Sequence, residues 1–137
     1  MKAAVFADAF YWIALTNPAD ATYHAANEMD RTLSRTMLVT TDEVLTEFLT
    51  FFGGDPWLRF KAAKTAQGLL KKINVRVVPQ TRNSFLSGLD LYMARLDKGY
   101  SLPDCISMKT MEREGLTDVL TNDRHFEQEG FRALFRS

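Results

Sequence analysis

The sequence is poor in the residues that would mark several kinds of protein. Among 137 residues there is one cysteine, Cys105, which excludes an internal disulfide. Two histidines, His24 and His125, are too isolated to build a zinc site. A lone thiol fits a reducing compartment, and the cytoplasm is the expected location. No apolar run approaches the roughly 18–20 residues of a membrane span, so no membrane partner is expected. Residues 1–8 hold an apolar stretch too short for a signal-peptide core, which reads better as a first strand. Neither charge sign is in excess, with 17 basic and 17 acidic residues. Net charge therefore points to no nucleic-acid partner. If the chain handles RNA, its basic residues must be clustered and its acids must be occupied by something positive. There is no glycine-rich phosphate loop, no serine–histidine arrangement, no repeat and no linker. A single domain over 1–137 is expected.

What is present is an alternation of short β-branched runs with longer amphipathic ones. Strands are expected over 3–7, 37–39, 75–78 and 118–121, with a peripheral one at 131–134. Helices are expected over 20–35, 41–52, 57–72, 81–96, 101–114 and 122–128, and the apolar segment 10–15 stops at Asn17-Pro18. In the second of these helices Val44, Leu45, Phe48 and Phe52 share a face. In the 81–96 helix Phe85, Leu89, Tyr92 and Met93 are the apolar positions. Gly53-Gly54-Asp55-Pro56 stops one helix, and Gly115 caps another. The pattern predicts an α/β fold in three layers, with a mainly parallel central sheet flanked by helices.

Four acids stand at positions where chemistry can be done. Asp8 and Asp123 each follow a predicted strand, and ligands of open α/β sheets bind beyond the carboxyl ends of strands. Asp104 begins a helix after a tight turn. Glu47 lies at the rim of the Val44/Phe48/Phe52 face, with no basic residue three or four positions away. Each has a structural alternative: Asp8 and Asp123 fit helix caps, and Ser101-x-x-Asp104 fits a capping box. Thr40-x-x-Glu43 fits that pattern too, which makes Glu43 a structural acid, and Asp42 is read as a cap. Converging carboxylates repel one another and take up protons unless a cation neutralises them. Mg²⁺ or Mn²⁺ would do so through oxygen ligands, and could polarise a phosphodiester and activate water.

The blocks around these acids have a family likeness. Phe6-Ala7-Asp8-Ala9-Phe10-Tyr11-Trp12-Ile13, Thr40-Thr41-Asp42-Glu43-Val44-Leu45-Thr46-Glu47, Asp97-Lys98-Gly99-Tyr100-Ser101-Leu102-Pro103-Asp104 and Leu120-Thr121-Asn122-Asp123-Arg124-His125-Phe126 occur in that order. Together they resemble the four blocks of PIN-domain ribonucleases, in particular the VapC-type toxins of toxin–antitoxin pairs. The resemblance implies an endoribonuclease dependent on Mg²⁺ or Mn²⁺, with Asp8, Glu47, Asp104 and Asp123 as catalytic metal ligands. It also implies an RNA substrate, a cognate antitoxin and a homodimer. Two positions depart from the pattern: Ala9 stands where Ser or Thr is common, and Pro103 where a hydroxyl residue is common. Both neighbour the ligand positions and bear on the hydrogen bonds that orient them.

Other residues have plainer readings. Asp97 is a loop acid, Cys105 a small buried residue and His125 a solvated helix residue. Thr121 and Asn122 are candidates to orient Asp123. Arg59, Lys61, Lys64, Lys71 and Lys72 form a basic stripe that could steer RNA or simply be solvated. Trp57 and Phe60 fit packing at a dimer interface better than base stacking. Two rival functions remain. A receiver-like signalling domain also uses strand-end acids, but it needs a lysine near the last strand and 118–134 contains none. A non-catalytic, protein-binding version of the PIN fold would show no cleavage of total RNA.

Overall fold

The computed structural model describes residues 4–136. Among them, helices α1 (Ala9–Thr16), α2 (Tyr23–Thr32), α3 (Asp42–Phe51), α4 (Pro56–Leu69), α5 (Arg82–Ala94), α6 (Leu102–Glu114) and α7 (Arg124–Gln128) flank five strands. The strands are β1 (Val5–Ala7), β2 (Leu38–Thr41), β3 (Val75–Val78), β4 (Asp118–Leu120) and β5 (Arg132–Ala133). They form one sheet in the order β3-β2-β1-β4-β5, and every pairing is parallel. Ala3, expected to begin the first strand, lies outside the described residues, and Met37 is an exposed residue ahead of β2. No helix among the described residues is long and apolar enough to cross a membrane.

A parallel sheet covered by helices needs strands that are apolar on both faces, and these are. Val5, Phe6, Ala7, Leu38, Val39, Val119 and Leu120 are all buried. Because chain order runs outward from β1 to β2 and β3, and separately to β4 and β5, the direction of winding reverses between β1 and β4. Such a switch point leaves a crevice at the carboxyl ends of the two strands. Asp8 follows the end of β1, and Thr121, Asn122 and Asp123 follow the end of β4.

Buried polar links hold the elements around this crevice. The Thr40 hydroxyl donates to the Ala7 carbonyl at 2.9 Å and accepts from the Trp12 indole at 3.2 Å, tying β1, β2 and α1. The Tyr11 hydroxyl donates to Asp30 at 2.7 Å and clips α1 to α2. These bonds revise the capping expected at the start of α3. Thr41 is the cap, accepting from the Val44 amide, because Thr40 is already committed inside the sheet. Glu43 is structural for another reason: it accepts from the Ser84 hydroxyl of α5 at 2.7 Å. Asp42 is not a cap either, and takes the Gln80 amide at 2.9 Å.

Helices α5 and α6 approach unusually closely. A methyl group at Gly88 would lie 2.3 Å from Ile106 Cγ1 and 3.2 Å from the Ile106 backbone, so only glycine fits this crossing. On α5 the residues turned inward are Ser84, Gly88 and Leu91. Phe85, Leu89, Tyr92 and Met93, the apolar row of the sequence, face solvent instead. The periodicity identifies a stripe, and this one is left uncovered.

Candidate active site

The crevice opens into a cleft of about 740 Å³ lined by Asp8, Glu47, Asp104 and Asp123 together. Each comes from a different segment. Asp8 sits at the turn from β1 into α1, Glu47 on α3, Asp104 in the first turn of α6 and Asp123 at the turn from β4 into α7. Phe10, Ile13, Phe51, Leu102, Pro103 and Ile106 form its apolar walls. No lysine or arginine among the described residues lines it.

Capping accounts for only part of this arrangement. Asp8 occupies the N-cap position of α1 but makes no capping bond with its side chain. Its Oδ2 accepts the Thr121 hydroxyl at 2.9 Å, within the buried floor. Thr121 in turn accepts from the Asp123 amide at 3.2 Å, so one hydroxyl joins the ends of β1 and β4. Asp123 does cap α7, its Oδ1 accepting the His125 amide at 2.9 Å, and it faces the cleft as well. Ser101 caps α6 by accepting from the Asp104 amide at 3.1 Å. The Asp104 carboxylate has Ser101 as a close hydrogen-bonding neighbour and also faces the cleft.

The electrostatics record the crowding. Asp8, only 7% exposed, has its pKa pushed up from 3.8 to about 6. Burial is the main cause; the Thr121 hydrogen bond opposes it, and the charge of Glu47 adds to it. Asp104 is also raised to about 6, by burial first and then by the charges of Asp8 and Asp123. Glu47 moves upward too, through partial burial and through repulsion by Asp104 and Asp123. Three carboxyls that resist ionisation thus meet in one cleft that no lysine or arginine among the described residues lines, and only the charge of His125 eases the crowding at Asp104.

The structure adds a residue that the sequence left on the surface. One nitrogen of His125 and one carboxylate oxygen each from Asp104 and Asp123 lie within 4.8 Å of one another. His125 is half-buried beside Tyr100, with ring centroids 5.3 Å apart. Its position two residues after Asp123 was the available signal. The other plain readings stand: Asp97 is exposed beside Lys98, and Cys105 is fully buried. Trp57 and Phe60 are 68% and 58% exposed and stack on each other. Lys64, Lys71 and Lys72 are exposed to solvent.

No family model and no curated protein matches the sequence. Among solved structures, the chain is similar to Mycobacterium tuberculosis VapC20, described as a toxin that cleaves the sarcin–ricin loop. That match has a TM-score of 0.78 at 25% identity and covers 93% of this chain and 96% of the other. It is also similar in fold to VapBC2 of Rickettsia felis, solved bound to a DNA fragment from its promoter. There the TM-score is 0.66 at 13% identity, over 94% of this chain and 96% of the other. The likeness to VapC-type PIN domains carried by the four sequence blocks thus holds in three dimensions.

Proposed function

We propose that this chain is a Mg²⁺- or Mn²⁺-dependent endoribonuclease acting as the toxin of a VapBC-type pair. The observation that carries this reading is the meeting of four carboxylates from four segments at the β1/β4 switch point, in a cleft that no lysine or arginine among the described residues lines. The donor set fits the metal. All four side chains offer hard oxygen, and their mutual repulsion is what a divalent ion relieves. A bound ion would supply neutralisation of these charges and polarisation of the phosphodiester.

The protein side of the chemistry divides among named residues. Asp8, Glu47, Asp104 and Asp123 hold the ion, and Thr121 fixes the plane of the Asp8 carboxylate. Ala9 brings no hydroxyl to this cluster, so Thr121 carries the orienting role from the β4 side. The apolar walls limit solvent around the acids and strengthen every charge interaction in the cleft. Asn122 lines the same cleft with a carboxamide suited to a phosphate oxygen. The exposed lysines on and after α4 draw the RNA backbone in.

Partners follow from the same surfaces. The acid pocket with its apolar walls suits an antitoxin segment that lays apolar residues against Phe51 and Ile106 and sends an arginine to the carboxylates. The uncovered rows on α4 and α5 suit pairing with a second copy of the chain. The protein works in the cytoplasm, where its RNA substrate is.

The test is cleavage of total RNA by purified protein with EDTA, Mg²⁺ or Mn²⁺, followed by expression with and without the neighbouring upstream gene. Cleavage that needs the metal, together with growth arrest relieved by that gene, is the expected result. Cleavage unaffected by EDTA would overturn the metal mechanism. Equal growth in both hosts would remove the toxin role and leave the nuclease.

A further inference from the structure

His125 is held in place more firmly than a solvated helix residue needs. Its ring lies against Tyr100, which is 4% exposed. The Tyr100 hydroxyl donates to Glu129 at 2.9 Å, and Glu129 is gripped by Arg95 through two bonds of 3.0 and 2.8 Å. This network joins the end of α5, the loop before α6 and the end of α7, and the imidazole rests on it.

The ring nevertheless makes no hydrogen bond among the described residues. Its nearest recorded partner atom is Asp123 Oδ1, 3.4 Å from Nδ1, and that oxygen already takes the His125 amide. Simple support of Asp123 would call for a shorter contact. An imidazole fixed by packing, with no hydrogen bond from either ring nitrogen among the described residues beyond the 3.4 Å contact to Asp123 and with one nitrogen within 4.8 Å of two carboxylates, is placed to ligate a cation there.

We propose that His125 is a nitrogen ligand of the divalent ion held at Asp104 and Asp123, and that it biases this site towards Mn²⁺ over Mg²⁺. The inference rests on the metal-dependent reading above. Mg²⁺ takes oxygen ligands and keeps much of its water, so a nitrogen brings it little. First-row transition ions accept imidazole readily. Asp8 and Glu47 complete an oxygen-rich side, and His125 makes the other side mixed.

The experiment uses untagged full-length protein, so that the only other histidine is His24, on α2 and away from the acid cleft. Mn²⁺ is added and pulsed electron paramagnetic resonance is recorded. Modulation from a directly bound ¹⁴N is expected in the wild type and absent in His125→Phe, which keeps a flat ring against Tyr100. Calorimetry should show Mn²⁺ binding weakened in that variant by roughly 10-fold or more, with Mg²⁺ binding changed far less. Bound Mn²⁺ without ¹⁴N modulation in the wild type would overturn the proposal while leaving the nuclease intact, and that spectrum needs no variant to fold. Equal loss of both metals in a folded His125→Phe would also overturn it. Failure of Mn²⁺ and Mg²⁺ alike to bind the wild type would overturn the metal-dependent reading itself.

Discussion

Asp8→Asn separates function from stability in opposite directions. The substitution keeps the shape of the side chain, and its amide oxygen can still accept the Thr121 hydroxyl that lies 2.9 Å from Oδ2. What it removes is a charge that the metal-free fold holds unwillingly. The gap between 3.8 and about 6 for Asp8 corresponds to a cost of about 3 kcal/mol once the group is fully ionised. That cost is absent below the unfolded value, grows as pH rises from about 4 to 6 and is complete above that. At pH 5 roughly half of it is present. The amide must also place two N–H donors in a tight floor, which offsets ~1 kcal/mol. In EDTA, the variant should therefore exceed the wild type by about 1–2 kcal/mol at pH 7.5, and by about 1.5 kcal/mol less at pH 5. Urea unfolding at the two pH values reads this as a midpoint gain of roughly 0.5–1 M that shrinks on acidification. RNA cleavage should collapse in the same variant. A stability difference independent of pH, or a loss of stability at pH 7.5, would refute the account of the buried carboxylate.

Further outcomes follow from the same geometry. Removing divalent metal should abolish cleavage and lower the wild-type melting temperature, while Asp8→Asn should show a much smaller metal-dependent shift by scanning fluorimetry. The metal-dependent rate should rise as pH passes upward through about 6, where Asp8 and Asp104 ionise, and its midpoint should fall as Mn²⁺ is raised. Thr121→Val should cost about 1–3 kcal/mol by leaving the Asp123 amide without its acceptor, and should reduce cleavage more than it reduces metal affinity. Gly88→Ala should destabilise by roughly 1–3 kcal/mol, less the helix-propensity gain, and push α6 and Asp104 out of place; unchanged unfolding and activity would show that the α5–α6 crossing is slack.

Much of the site was legible because strand ends and helix starts are marked locally. Asp8 and Asp123 could be placed by the apolar runs ahead of them, and Glu47 by its angle to the Val44/Phe48 face. The parallel sheet followed from the alternation of β-branched and amphipathic runs. Three matters were not legible, each because it depends on a residue distant in sequence. Thr40 looks like a cap until β1 arrives with the Ala7 carbonyl. His125 looks like surface until Tyr100 packs on it. The α5 row looks like core until α6 packs on the adjoining flank of Ser84, Gly88 and Leu91 and leaves Phe85 and Tyr92 outside.

The Thr121–Asp8 hydrogen bond spans 113 positions of the chain. Contacts this distant in sequence form late and slowly during folding, after local helices and nearby strand pairs. A nascent chain that has reached residue 117 already carries Asp8, Glu47 and Asp104, yet β1 still lacks β4 as a neighbour and Asp8 has no hydroxyl to orient it. The acid cluster thus comes into being only as β4 docks. On the proposed reading as a ribonuclease, a chain still emerging from the ribosome would hold no complete acid cluster until the fold has closed.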